Sequence, residues 1–179
     1  MAKALTGTFT ITSQINMTAN GYLTGVIPIG SLIDVGDAQA LEIEEVDYIY
    51  YAYNTSSDVY EPMHISGPFS SDASFGAQLM DRNAGTWLSA ADNNLISSSA
   101  AYFEATGTWG VAGDFFPDDF QKTNGRFVVN DELYLVGANP TGAYAANNQL
   151  AIVARIRAKV VKLGTRDWMA ISLETVQNE

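Results

Sequence analysis

The chain has 179 residues and a mass of 19.3 kDa, enough for one domain that buries about 70% of its unfolded surface without staples. Its 47% hydrophobic and 16% charged residues exclude intrinsic disorder. A net charge of −11, nine Lys and Arg against 20 Asp and Glu, opposes direct contact with a phosphate backbone. Cysteine is absent, so disulfides, thiolate metal sites and a cysteine nucleophile are excluded. No apolar run reaches the 18 residues of a transmembrane helix. The start, Met1-Ala-Lys-Ala-Leu-Thr-Gly-Thr, lacks the apolar segment of a signal peptide, so synthesis in the cytoplasm without a cleaved leader is expected.

Strand signals dominate. Thr8 to Ile15 alternates Phe9 and Ile11 against threonines, a half-buried strand. Asn20-Gly21 predicts a hairpin into Tyr22 to Ile29, and Pro28 confines that strand to an edge or a bulge. From Ala40 to Tyr53 the apolar phase slips: Leu41 and Ile43 are odd, Val46, Tyr48 and Tyr50 even. One inserted residue at Glu44-Glu45 produces such a slip. It puts Glu42, Glu44 or Glu45, and Asp47 on one face, which Ile49, Tyr51 and Tyr53 continue. Between residues 54 and 125 turns are frequent, with short strands expected at Phe75–Met80, Thr86–Leu88 and Ala101–Ala105. Leu95 to Tyr102 has a helical turn or two as its alternative. Strands follow at Arg126–Val129, Glu132–Gly137 and Gln149–Leu163, the last about 50 Å long at ~3.3 Å per residue. A final strand is expected at Trp168–Val176, with Met169, Ile171 and Leu173 on one face. Eight to ten antiparallel strands with little helix make residues 1–179 one all-β domain, a two-sheet sandwich or jelly roll.

Charge is segregated along the chain. No basic residue lies between Lys3 and Arg82, where Asp34, Asp37, Glu42, Glu44, Glu45, Asp47, Asp58, Glu61 and Asp72 fall. Arg155, Arg157, Lys159, Lys162 and Arg166 have no acid among them. One reading pairs an acidic and a basic strand within one sheet. The other places Arg155, Arg157 and Lys159 of one subunit against Glu42, Glu45 and Asp47 of the next, setting register between copies. A third, contact of the basic stripe with nucleic acid or anionic lipid, is opposed by the total charge.

Catalytic signatures are missing. His64 is the only histidine, and there is no Gly-x-Ser-x-Gly elbow, phosphate-cradling loop or His-Glu-x-x-His pair. No catalytic residue, cofactor or metal is assigned. The segment Asp114-Phe-Phe-Pro-Asp-Asp-Phe120 has acids near enough to hold Ca²⁺, but not at EF-hand spacing. Phe115, Phe116 and Phe120 there are either folded onto the core or docking residues for a partner.

The Thr-Gly-Thr-Phe-Thr-Ile-Thr start, the short strands rich in Ala, Gly, Ser and Thr, and the ending Ala-Ile-Val-Ala-Arg-Ile-Arg-Ala-Lys-Val-Val carry a resemblance. The chain resembles the small single-jelly-roll major capsid proteins of membrane-containing icosahedral viruses of halophilic archaea and their Thermus-phage relatives. The resemblance implies a non-enzymatic virion protein that assembles with copies of itself and a second capsid protein above an internal membrane. Spike or membrane-associated virion proteins are further partners it implies. It transfers no site residue. A shell separated from the genome by lipid needs no basic arm, and the first 81 residues contain one Lys and no Arg. The expected interface residues are Arg155, Arg157, Lys159, Glu42, Glu45, Asp47, Tyr51, Tyr53, Phe115, Phe116 and Phe120. The alternative function is a carbohydrate-binding jelly roll with Trp87, Trp109, Tyr51 or Tyr53 as its stacking platform.

Overall fold

A computed structural model describes residues 2–63, 68–104, 108–111 and 125–176. Its strands are β1 (Lys3–Ala4), β2 (Phe9–Met17), β3 (Gly21–Pro28), β4 (Gln39–Asn54), β5 (Val59–Pro62), β6 (Ala73–Met80), β7 (Leu95–Glu104), β8 (Thr108–Val111), β9 (Arg126–Val128), β10 (Glu132–Asn139) and β11 (Asn148–Lys162), followed by one helix, α1 (Thr165–Val176). All pair antiparallel. The first sheet runs β2-β11-β4-β9, with β1 also on β11 and β5 also on β4; the second runs β3-β10-β6-β7-β8.

The pairing is nested. β2 pairs with β11, β3 with β10, β4 with β9 and β6 with β7, outermost with outermost and so inward. A chain folded back on itself as one long ribbon and rolled into two sheets gives this order, which is the jelly roll. The core lies between the sheets, with Ile15, Met17, Leu41, Ile43, Val46, Leu150, Ile152 and Ile156 facing Phe75, Leu79, Leu133 and Leu135. Two inward tyrosines of β4 cross the gap and satisfy the opposite sheet. The Tyr48 hydroxyl donates to the Ser97 carbonyl at 3.1 Å, and the Tyr50 hydroxyl to that of Ser99 at 3.2 Å.

The phase slip in β4 is real. Glu45 stands opposite Arg157 and Ile43 opposite Ala158, leaving Glu44 as the extra residue of a bulge. β3 is an edge strand, as Pro28 requires, and Leu95–Tyr102 is strand rather than helix.

Three expectations are corrected. Asn20-Gly21 is no hairpin: β2 and β3 belong to different sheets and pair with different partners. Gly21, at φ +114°, carries the chain across the sandwich. Gly25 then lets β3 lie so close to β2 that a Cβ there would meet the Ile15 Cγ2 at 2.6 Å. Thr86–Leu88 is not a strand. Both backbone groups of Leu88 are taken by the Gln78 side chain, which donates to its carbonyl at 2.9 Å and accepts from its N–H at 2.8 Å. Residues 168–176 are helical, not extended, within α1. Trp168 and Ile171, three apart on one helical face, pack on Ala40, Val129, Val161 and Leu163. An alternating strand would have aimed Trp168 and Ile171 to opposite sides.

Candidate functional site

The two outer faces of the sandwich differ in kind. On the first sheet, β11 presents Arg155, Arg157 and Lys159 directly opposite Asp47, Glu45 and Glu42 of β4. Arg157 binds Glu45 at 2.6 Å, and Lys159 is held between Glu42 at 3.1 Å and Glu44 at 3.0 Å. Lys162 pairs with Asp37 next to them. The acidic and basic strands therefore neutralise one another inside one sheet. Among the described residues Arg155 makes no ion pair, although Asp47 is its cross-strand neighbour.

The bulge is what doubles the charge around Lys159, because it turns Glu44 outward beside Glu42. The Glu44 carboxyl is held below its ordinary value of 4.5, chiefly by the hydrogen bond from Lys159, and the same bond raises Lys159. A carboxylate lowered on folding stabilises the fold above pH 4.5 and loses that contribution as pH falls through its folded value. Lys159→Met is therefore expected to flatten the acid limb of the stability curve below pH 4.5, with a loss near neutrality of no more than ~1 kcal/mol. Urea denaturation at a series of pH values measures both.

Farther along this face lies a tyrosine patch. Tyr53 and Tyr60 stack at 4.6 Å, and Tyr51 meets Tyr60 edge-on at 6.4 Å. Gln14 donates to the Tyr60 hydroxyl at 2.8 Å, and the Tyr53 hydroxyl donates to Asp58 at 2.7 Å. That last bond holds the Tyr53 hydroxyl above its ordinary value.

The outer face of the second sheet is built differently. Down its strands the outward positions are Tyr22, Thr24 and Val26; Tyr134, Val136 and Ala138; Ser74, Gly76, Gln78 and Met80; and Ser98, Ala100 and Tyr102. These carry no charge, but the same face continues into Glu132 beside Tyr134 and Glu104 beyond Tyr102 at its margins. Residues 81–94 fold over one end of this face, where Leu88 packs on Met80, Leu95 and Val136. At the other end a groove of about 330 Å³ stays open. Gly76, Ala100 and Ala138 form its floor, and Tyr22, Trp87, Tyr102 and Pro140 its walls. The floor needs a glycine: a Cβ on residue 76 would meet the Trp87 ring at 2.7 Å and the Ser99 carbonyl at 2.5 Å.

The expected interface residues thus divide. Glu42, Glu45, Asp47, Arg155, Arg157 and Lys159 share one ribbon, with Tyr51 and Tyr53 beyond it on the same face. Phe115, Phe116 and Phe120, the Ca²⁺ candidate around them, His64 and the Trp109 side chain lie outside the described residues. Trp87 is on the opposite face from Tyr51 and Tyr53, so these three do not form one sugar platform. Sequence reasoning missed Tyr22 and Tyr102 as walls of the groove. The available signal was the run of small residues Ser97-Ser-Ser-Ala-Ala101, which leaves a sheet face without bulk beside large aromatics.

Among the described residues no group of His, Asp and Glu has the arrangement of a metal site, and no helix is long and apolar enough to cross a membrane. No family model and no curated protein matches the chain. Solved structures do. Merkel cell polyomavirus VP1 in complex with GD1a oligosaccharide is similar at 8% identity, over 90% of this chain and 99% of that one, with a TM-score of 0.42. VP1 of trichodysplasia spinulosa-associated polyomavirus, in complex with 3'-sialyllactose, is similar at 9% identity over 91% and 97%, with a TM-score of 0.43. Desmodium yellow mottle tymovirus gives 11% identity over 89% and 90%, with a TM-score of 0.28. The nested strand pairing of this chain defines its jelly roll without them.

Proposed function

We propose that the chain is a structural subunit of a virus capsid, which joins copies of itself and a second capsid protein in an icosahedral shell over an internal membrane. One observation carries the reading. In a chain of net charge −11, the middle of one sheet face is uncharged, with Glu104 and Glu132 at its margins, and it ends in an open aromatic groove. Apolar surface of that kind, rimmed by polar residues, is characteristic of a protein that works in contact with another. The jelly roll, a frame that viral capsid proteins and lectins both use, supports the reading. So does the sequence resemblance, which implies the same kind of assembly and no bond-making chemistry.

The charged ribbon of the first sheet is the second contact surface of this reading, with Arg155 as its available cation. Arg155→Gln, which removes the cation without setting a second acid opposite Asp47, is expected to leave the unfolding midpoint nearly unchanged and to weaken self-association at least tenfold. Arg157→Glu removes the Glu45 ion pair and lowers both. Sedimentation velocity over a range of protein and salt concentrations, with electron micrographs of the assembled fraction, reads the outcome. A wild-type chain that stays monomeric throughout would overturn the proposal.

A second reading is carbohydrate binding at the tyrosine patch, favoured by the stacked Tyr53 and Tyr60 with Gln14 and Asp58 beside them. Stacking rings next to amide and carboxylate groups suit a sugar ring. Retention on a sugar column that Tyr60→Ala abolishes would establish it.

A further inference from the structure

Two exposed apolar features of this chain lie on opposite faces and cannot meet within one molecule. The first is a ridge on α1: Met169 and Leu173, 56% and 60% exposed, stand one above the other at i and i+4. The second is the groove on the far sheet, whose walls include Tyr22 and Tyr102 at 50% and 43% exposure. α1 is anchored by Trp168 and Ile171 on the outer side of the first sheet, against Val161 of β11 and Ala40 of β4. That is the end where Asp81 and Asn94 lie, since Ile171 shares a cavity with them. The groove is at the other end of the strands and on the opposite face, beside Ser74, Tyr102 and Ala138. Ridge and groove therefore point in opposite directions from one rigid sandwich.

We propose that α1 of one copy seats its Met169–Leu173 ridge in the Tyr22–Trp87–Tyr102 groove of the next, a head-to-tail contact that rests on the reading of the chain as an assembling subunit. Charge argues for a second copy. Two chains of −11 repel over most of their surfaces, whereas the groove residues and the two ridge residues include no Asp, Glu, Lys or Arg. The side chains that would meet there are uncharged.

Dimensions and chemistry agree. The ridge spans four residues at about 1.5 Å each, roughly 6 Å. The groove crosses from β3 to β7, three strand spacings or about 14 Å. An apolar helix face laid in a groove on i and i+4 anchors is a recurrent mode of recognition. A flexible methionine thioether is suited to walls made of aromatic rings. Because the two surfaces differ, the contact is heterologous: it propagates from copy to copy and closes a ring or extends a row.

The test uses Leu173→Asp, which spoils the ridge, and Ala100→Glu, which spoils the groove floor, with Tyr22→Glu as a second groove variant. Thermal melts first establish that each is folded. In sedimentation velocity the wild type is expected to associate and each single variant to lose at least tenfold in self-association. An equimolar mixture of Leu173→Asp and Ala100→Glu, which holds one sound ridge and one sound groove, is expected to form a 1:1 dimer and nothing larger. Variants that associate like the wild type would overturn the contact and leave the assembly reading standing. Monomeric variants that fail to combine on mixing would also overturn it, in favour of a symmetric contact. If Trp87 fluorescence answers added oligosaccharide while association is untouched, the groove is a sugar site and the contact is again overturned. A wild type that never associates removes the assembly reading itself.

Discussion

Deletion of Tyr48 is expected to abolish folding, whereas deletion of Glu44, four residues away in the same strand, should leave a cooperatively folded sandwich. The difference follows from the β4 bulge. With Tyr48 gone, residues on its N-terminal side move one step along β11. Asp47 then faces Ala154, Val46 faces Arg155, and Glu45 faces Ile156, while Glu44 takes the place opposite Arg157 and the bulge disappears. Strand side chains alternate between faces, so Asp47 and Glu45 turn into the core and Val46 turns out. Burying an ion unpaired costs several kcal/mol even after relaxation. Two of them, with the lost burial of Val46 and the lost Tyr48–Ser97 bonds, match the whole stability of a domain, about 5–15 kcal/mol. Deleting Glu44 has no such consequence. Glu45 already faces Arg157 and Ile43 already faces Ala158, so the alternation closes up regularly. The loss is the Lys159–Glu44 contact and the bond from the Thr8 hydroxyl, both 3.0 Å, together about 1–2 kcal/mol. Urea titrations followed by tryptophan fluorescence decide it, and equal damage from the two deletions would show that the bulge is not the hinge of the register.

That bulge was legible in the sequence because it breaks a period: Leu41 and Ile43 cannot share a face with Val46 and Tyr48 unless one residue is extra. The jelly-roll class was legible for a related reason. Many short alternating segments closed by Gly, Asn and Pro leave few other architectures. Partner choice was not. The Asn20-Gly21 pair is a local turn signal, and whether it joins neighbours in one sheet or carries the chain between two is decided by β11 and β10, more than 100 residues away. The Trp168–Val176 segment shows the same limit. Met169, Ile171 and Leu173 alternate as a strand would, yet Trp168 with Ile171 and Met169 with Leu173 also carry helical spacings. The hydrophobic cluster at Ala40, Val129 and Val161 selects the helix by covering Trp168 and Ile171 together. The charged strands were visible as two blocks, and both ways of pairing them satisfied the sequence. Register, a tertiary property, brought the blocks side by side within one chain. The groove was the least visible feature, because it is made by what β6 and β7 lack.

The same dependence on distant partners governs the ion pair that joins the ends of the two sheets. Asp81 follows β6, is 5% exposed, and meets Arg126 of β9 at 3.2 Å. Arg126 also donates to the Asn93 carbonyl, and Asn130 donates to the Asp81 carbonyl at 2.6 Å. Among the described residues the second carboxylate oxygen of Asp81 and the Arg126 Nε have no hydrogen-bond partner. Burial pushes the Asp81 carboxyl above its ordinary value of 3.8, and Arg126 opposes that rise. In Arg126→Met the opposition is gone and a buried carboxylate is left without its cation. Loss of one member of a buried pair costs 3–5 kcal/mol, and because the Arg126 side chain is 29% exposed the low end, about 3 kcal/mol, is expected at pH 7. The pH dependence identifies the cause. A carboxyl whose folded value lies above its unfolded one binds more protons in the native state, so stability increases as pH falls through the folded value. Arg126→Met should therefore regain stability on acidification from pH 7 toward the unfolded value of 3.8, more steeply than the wild type does. Adding Asp81→Asn to Arg126→Met should restore part of the loss at pH 7 and remove the extra slope. Additive losses in that double-mutant cycle, with parallel pH profiles, would mean that Arg126 acts by packing and by its bond to Asn93 rather than by holding Asp81 charged.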